Sequence, residues 1–298
     1  MTFNEGIKVD PGRERGGRGG GRRGGGIAVG GGGGLIIVVL ALVFGFNPGD
    51  ILGGGDSGGQ GQTQGDDAFA ECTDAEAANT NIDCRIIATA ESLDALWEQL
   101  LPDSGGPAYV QPNLDIFVGS VSTGCGGATS ATGPFYCPAD QTAYFDSDFF
   151  ELLETQFGAN GGPLAQEYVV AHEFGHHIEN QLGLLNRAQQ DPQGPESGAV
   201  RVELMADCLA GIWANNATTV PDPDTGTPFL GPLSEQDIND ALSAAAAVGD
   251  DRIQSSQGGQ VNPEAFTHGT SEQRQRWFMI GFEQGSIDSC NTFETDDL

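Results

Sequence analysis

The 298-residue chain carries 42 acidic and 12 basic residues, a formal charge of −30. The average hides two different polymers: residues 1–26 hold six of the 12 cations and only three acids, while residues 27–298 hold six Arg, no Lys and 39 acids. The acidic part excludes nucleic acid as a partner, because phosphate affinity rests on clustered Lys and Arg. The 24 glycines among the first 65 residues argue against one globule along the whole length.

In chain order, the Arg/Gly-rich segment 1–26 reads as a disordered tail that sets topology rather than as an RNA-binding arm. Residues 27–46, IAVGGGGGLIIVVLALVFGF, carry no charge. Twenty helical residues span roughly 30 Å, one hydrocarbon core. The segment after Phe44, Gly45-Phe46-Asn47-Pro48, fits a cleavage site poorly, so an uncleaved signal anchor is favoured over a cleaved signal peptide. Cations precede the apolar run, which places 1–26 in the cytoplasm and everything beyond outside it, in a single-pass protein of the cell membrane. Residues 47–67 read as a flexible linker, and 68–298 as one domain.

All six cysteines lie in that domain. An even count beyond an apolar segment fits disulfides in an oxidising compartment. Of 15 possible pairings, Cys72–Cys84 and Cys125–Cys137 are expected as local loops, with Cys208–Cys290 as the long closure. Ser92 is positioned to cap a helix over 93–101. Alternation of Leu114, Ile116 and Val118 predicts a strand, and a second short one is expected at 142–145. Helices follow at 147–157, at 164–182 ended by Gly183, and at 199–215. Ser234-x-x-Asp237 and Thr270-x-x-Gln273 are capping patterns that open helices over 235–248 and 271–284. The domain is therefore α+β, mostly helical, with a small sheet near its start and a single transmembrane helix before it.

Three of the four histidines fall in AHEFGHHIEN. His172 and His176 stand at i and i+4, so both imidazoles can meet one cation on one helix face. Glu173, offset by one residue, can reach water at the metal without ligating it. A catalytic zinc needs a third protein ligand. The metzincin pattern is excluded because Glu179 and Leu182 occupy its glycine and histidine positions. Glu179 itself, a turn beyond His176, is expected to be a solvated charge. Glu203 is the better third ligand, on the mostly apolar helix RVELMADCLAGIW, with Asp207 at i+4 to accept the outer N–H of a ligand histidine. His177, about 100° round the helix from His176, is expected to pack.

HExxH followed by ExxxD is the gluzincin arrangement. The stretches GPFYCPADQTAYFD, YVVAHEFGHHIEN, RVELMADCLAGIW and THGTSEQRQRWF resemble the putative neutral zinc metallopeptidase family of bacterial membrane-anchored proteins. The resemblance runs from about residue 115 to 290. It implies a zincin-like fold and a peptidase holding one Zn2+ per chain. His172, His176 and Glu203 would be its ligands, Glu173 its base and Asp207 an outer partner. Its partner would be a peptide or protein substrate. Many gluzincins use a downstream histidine on the oxyanion, and His268, before Gly269 and a capped helix, is the candidate; the alternative for it is a purely structural capping turn. Two other functions compete. A deformylase-like hydrolase would need a cysteine ligand, whereas these cysteines look paired. A catalytically idle, zinc-stabilised envelope scaffold is the alternative from outside enzymology.

Overall fold

The computed structural model describes residues 3–17, 69–256, 258 and 260–298. The expected transmembrane segment 27–46 and linker 47–67 lie outside the described residues. Among the described residues no helix is long and apolar enough to cross a membrane.

The architecture is mostly helical with a small sheet. A short helix α1 (Ala75–Thr80) leads into α2 (Ile82–Asp103). Asn81 caps α2 through a hydrogen bond from the Asp83 N–H. Ser92 is therefore not a cap but a buried residue inside α2, donating to the Thr89 carbonyl and accepting from Trp213 Nε1 at 2.7 Å. The apolar face of 93–101 marked only the C-terminal half of this helix.

The sheet follows. β1 (Asn113–Phe117) pairs parallel with β5 (Thr142–Asp146), Asn113 opposite Thr142 and Phe117 opposite Asp146. β4 (Phe135–Cys137) pairs antiparallel on the other side of β5 and forms one edge. Between them β2 (Ser120–Thr123) and β3 (Gly126–Thr129) form a hairpin, whose turn is tied to β4 by Cys125–Cys137. The hairpin escapes a periodicity search because its strands are mostly Gly, Ser and Thr, with only Val121 and Ala128 apolar and little burial.

Helices α3 (Phe149–Thr155), α4 (Pro163–Gln181), α5 (Asn186–Gln190), α6 (Gly198–Asn216), α7 (Glu235–Ala247), α8 (Asp250–Ser256) and α9 (Ser271–Gln284) complete the domain. The long ones start where the sequence places their signals. Pro163 occupies the first turn of α4, the Ser197 hydroxyl accepts from Val200 N–H, and capping boxes close at Ser234/Asp237 and Thr270/Gln273. α6 is buried along nearly its whole length, between α4 and α9. Its crossing with α9 is backbone-close. A Cβ on Gly281 would sit 1.8 Å from the Cys208 carbonyl oxygen, and one on Gly211 would sit 2.0 Å from that of Phe278. Any side chain at either glycine would drive the helices apart. Cys208–Cys290 fastens the C-terminal segment to the same helix, and Cys72–Cys84 ties the start of the domain to α2, so all three expected pairings are present.

The N-terminal tail corrects the expected boundary. Residues 3–17 are not a segment apart from the domain: Phe3, Ile7 and Val9 are buried in its core, and 11–17 form a 3-10 helix. Composition pointed the wrong way because the glycines and arginines concealed three apolar residues spaced to face one surface.

Candidate active site

Helix α4 carries His172 and His176 one turn apart, and their rings stand 4.7 Å apart, edge to face. Gly175 lets α6 approach this face: a Cβ there would lie 3.0 Å from Ala206 Cα. That approach brings Glu203 between the histidines. Its Oε2 is 3.2 Å from His172 Nε2 and its Oε1 is 3.5 Å from His176 Nε2. One ligand atom from each of the three residues lies within 4.8 Å of the others, and all three residues are buried.

The set fits zinc on its own chemistry. Two imidazoles and one carboxylate, converging and buried, match a catalytic zinc donor set. His176 Nε2 is buried without a hydrogen-bond partner. Burial pushes the His176 pKa down to about 3, so the ring is neutral. Its Nδ1 faces Glu179 Oε2 at 2.8 Å. A proton on Nδ1 donated to Glu179 leaves the Nε2 lone pair free for a cation. Glu179 is therefore not the solvated charge expected for it. It is fully buried, and that burial, with Glu203, Asp207 and Glu173 nearby, raises its pKa well above the usual carboxyl range.

His172 is held in the same way by Asp207, whose Oδ1 lies 2.9 Å from Nδ1. Burial pulls the His172 pKa down, but Asp207 and Glu203 outweigh it and lift it to about 9. Asp207 is anchored in turn by Arg274 from α9, which the sequence did not single out. Arg274 Nε donates to Asp207 Oδ2 at 2.8 Å and Nη2 donates to Oδ1 at 2.9 Å. The Tyr168 hydroxyl closes the group with hydrogen bonds to Asp207 and Arg274. Burial opposes ionisation of Asp207, but the Arg274 guanidinium and His172 hold its pKa below the usual value.

Glu173 lies 6% exposed beside this cradle, and burial pushes its pKa up to about 7. The Tyr136 backbone on edge strand β4 favours its charged form, and Oε2 has no hydrogen-bond partner. His268 closes the far side, its Nε2 4.0 Å from Glu203 Oε1. Asp250 at the start of α8 builds its turn. One carboxylate oxygen, Oδ2, accepts the backbone N–H groups of Thr267, His268 and Gly269 at 2.7, 2.6 and 3.0 Å. Gly269 sits at φ +86°, where other residues strain. Burial lowers the His268 pKa, but Glu203 and Asp250 outweigh that and raise it. Asp250 carried no sequence signal, because the residues it organises are 17–19 positions away. His177 packs: Nε2–H donates to the Val110 carbonyl, Nδ1 accepts from the Tyr136 hydroxyl, and burial keeps the ring neutral.

A cavity of about 90 Å³ opens over these groups, room for several waters or one small side chain. His172, Glu173, His176, Glu203, His268 and Arg274 line one part of it, and Phe149, Leu153, Val169, Ala244, Val248 and Ile253 give it an apolar wall.

Comparison with known proteins gives a consistent result. A family model described as putative neutral zinc metallopeptidase matches residues 4–293. An uncharacterized protein of Mycobacterium tuberculosis is 53% identical over 298 residues, the full length of both chains. The uncharacterized protein YpfJ of Escherichia coli is 38% identical over 259 residues, 85% of this chain and 84% of the relative. No solved structure matches.

Proposed function

Because the chain belongs to the putative neutral zinc metallopeptidase family, we propose that it hydrolyses peptide bonds, with zinc held by His172, His176 and Glu203 and with Glu173 as general base. The convergence of three buried ligand atoms within 4.8 Å carries this reading. Zinc in this site would supply Lewis acidity, acidifying the attacking water and polarising the scissile carbonyl. Glu173 takes the proton of that water and passes it to the leaving amine. His268, whose Nε2 faces the cavity, donates to the oxyanion that develops on the carbonyl. Glu179 and Asp207 fix the two ligand rings. The apolar wall receives an uncharged side chain of the substrate next to the scissile bond. Membrane association through the uncharged residues 27–46 belongs to the same proposal, and three disulfides suit a site outside the cytoplasm.

The test is digestion of a peptide library by the purified full chain with zinc, with a chelator, and with zinc restored. Cleavage that follows the zinc, with an apolar preference at one flanking position, is the expected result. A zinc-loaded protein that cuts nothing would instead support the idle scaffold. Elemental analysis should find one zinc per chain, lost in His172→Ala, His176→Ala and Glu203→Ala; full zinc in Glu203→Ala would remove it from the ligand set.

His268→Ala is expected to keep zinc and melting temperature and to lower kcat roughly 10²–10³-fold with little change in KM, the size seen when one oxyanion donor is removed. A lowered Tm with unchanged activity per folded molecule would show that the histidine only builds its turn.

A further inference from the structure

Charge placed the N-terminal tail and the domain on opposite sides of a membrane, yet the two are packed together. The strap from residue 3 to residue 13 runs over the face of the domain formed by α1, α2 and the 220–230 loop. Phe3 forms an antiparallel bridge with Leu230 and Lys8 forms one with Asp74. Asn4 N–H donates to the Phe229 carbonyl at 2.9 Å, while its Nδ2 reaches the carbonyls of Pro228 and Leu230. Phe3 and Asn79 exchange two hydrogen bonds, at 3.1 and 3.0 Å. Further along, Lys8, Val9 and Asp10 donate backbone N–H groups to Asp222, the Thr73 carbonyl and Glu91.

Arg13 carries the strap to the metal helix. Its Nε lies 2.6 Å from Asp94 Oδ2, its Nη2 donates to the Pro112 carbonyl at 3.0 Å, and its guanidinium stands 6.0 Å from the Phe174 ring centre, inside HExxH. Asp94 is 4% exposed, and a buried carboxylate needs such a partner. The contacts are therefore those of a part of the fold, with buried apolar side chains, paired backbone and a neutralised buried charge. The family match also begins at residue 4, within the strap.

A bilayer core of roughly 30 Å admits none of these contacts between segments on its two sides. We propose that residues 3–17 lie on the same side of the membrane as the domain, outside the cytoplasm, and form its N-terminal strap. The chain between residues 17 and 69 then begins and ends on the same side. Two sequence facts agree. The five glycines at 30–34 form helix poorly, which leaves 35–46, 12 residues, as the strong part of the run, short of the roughly 20 a span takes. The 51 residues from 18 to 68 can reach about 170 Å at roughly 3.3 Å each, ample to leave and return.

Cysteines at the exposed bridge partners Lys8 and Asp74 test this in the full chain. Bridge partners lie about 4.5–5.5 Å apart at Cα, within disulfide range, and the six native cysteines are already paired. Lys8→Cys, Asp74→Cys and the double variant are expressed in a bacterium. Spheroplasts are treated with a membrane-impermeant maleimide and the protein is mapped by non-reducing mass spectrometry. The expected result is labelling of each single variant in intact spheroplasts and an 8–74 disulfide in most double-variant chains. A residue-8 cysteine that labels only after lysis, while residue 74 labels before it, would overturn the proposal. So would labelling of both in the double variant with no cross-link, which would place the strap outside but undocked.

Discussion

Glu173→Gln is expected to bind a full complement of zinc, melt at the wild-type temperature, and turn over peptide roughly 10²–10⁴-fold more slowly, the usual worth of a positioned general base. The geometry separates the two functions of this helix. The atoms that could hold the metal belong to His172, His176 and Glu203, so nothing in that cradle changes. Glutamine keeps the size of the side chain and an acceptor oxygen facing the Tyr136 backbone. What it loses is the capacity to take a proton. Burial lifts the Glu173 pKa to about 7 in the metal-free protein, which suits a base working near neutrality. A dication in the adjacent cradle favours the carboxylate. Since the base must be unprotonated, kcat/KM should rise with pH through a limb centred below about pH 7, and that limb should vanish in the glutamine variant. Near wild-type turnover by zinc-loaded Glu173→Gln would end the mechanism.

The convergence of His172, His176 and Glu203 was legible because its information is local. Helical spacing places His172 over His176 and Glu203 over Asp207, and the apolar flanks of both helices announce burial. The capping boxes at Ser234 and Thr270 likewise fixed two helix starts. The residues that escaped are those whose role depends on distant neighbours. Glu179 reads as a surface charge until α4 is seen to be buried on that side too, which leaves His176 Nδ1 as its partner. Asp250 and Arg274 act on residues 17 and 67 positions away, and no periodicity encodes that. The strap was hidden by its glycines, although Phe3, Ile7 and Val9 offered a weak signal: apolar residues amid charges, with Ile7 and Val9 alternating as on a half-buried edge.

Arg274→Met is expected to destabilise the fold by about 3–5 kcal/mol, the cost of removing one partner from a buried ion pair. The residue is 2% exposed and is the one guanidinium in a cavity that also meets Glu173 and Glu203. Methionine fills similar volume, so the loss is electrostatic. Asp207, with no exposed surface, would keep only Tyr168 and His172 against its charge. Because Asp207 holds His172, a ligand in the proposed site, zinc affinity should also fall, roughly 10–100-fold, as for other partners of metal-bound histidines. Arg274→Lys keeps the charge but cannot make the two parallel bonds to both carboxylate oxygens, so it should fall between wild type and methionine. The decisive comparison is the double variant Arg274→Met/Asp207→Asn. Neutralising Asp207 removes the charge that the methionine strands, so the double variant should lose clearly less stability than the sum of the two single losses. Chemical denaturation of the four metal-free proteins measures this. Strictly additive losses, or an Arg274→Met protein as stable as wild type, would show that the pair does not hold this site together.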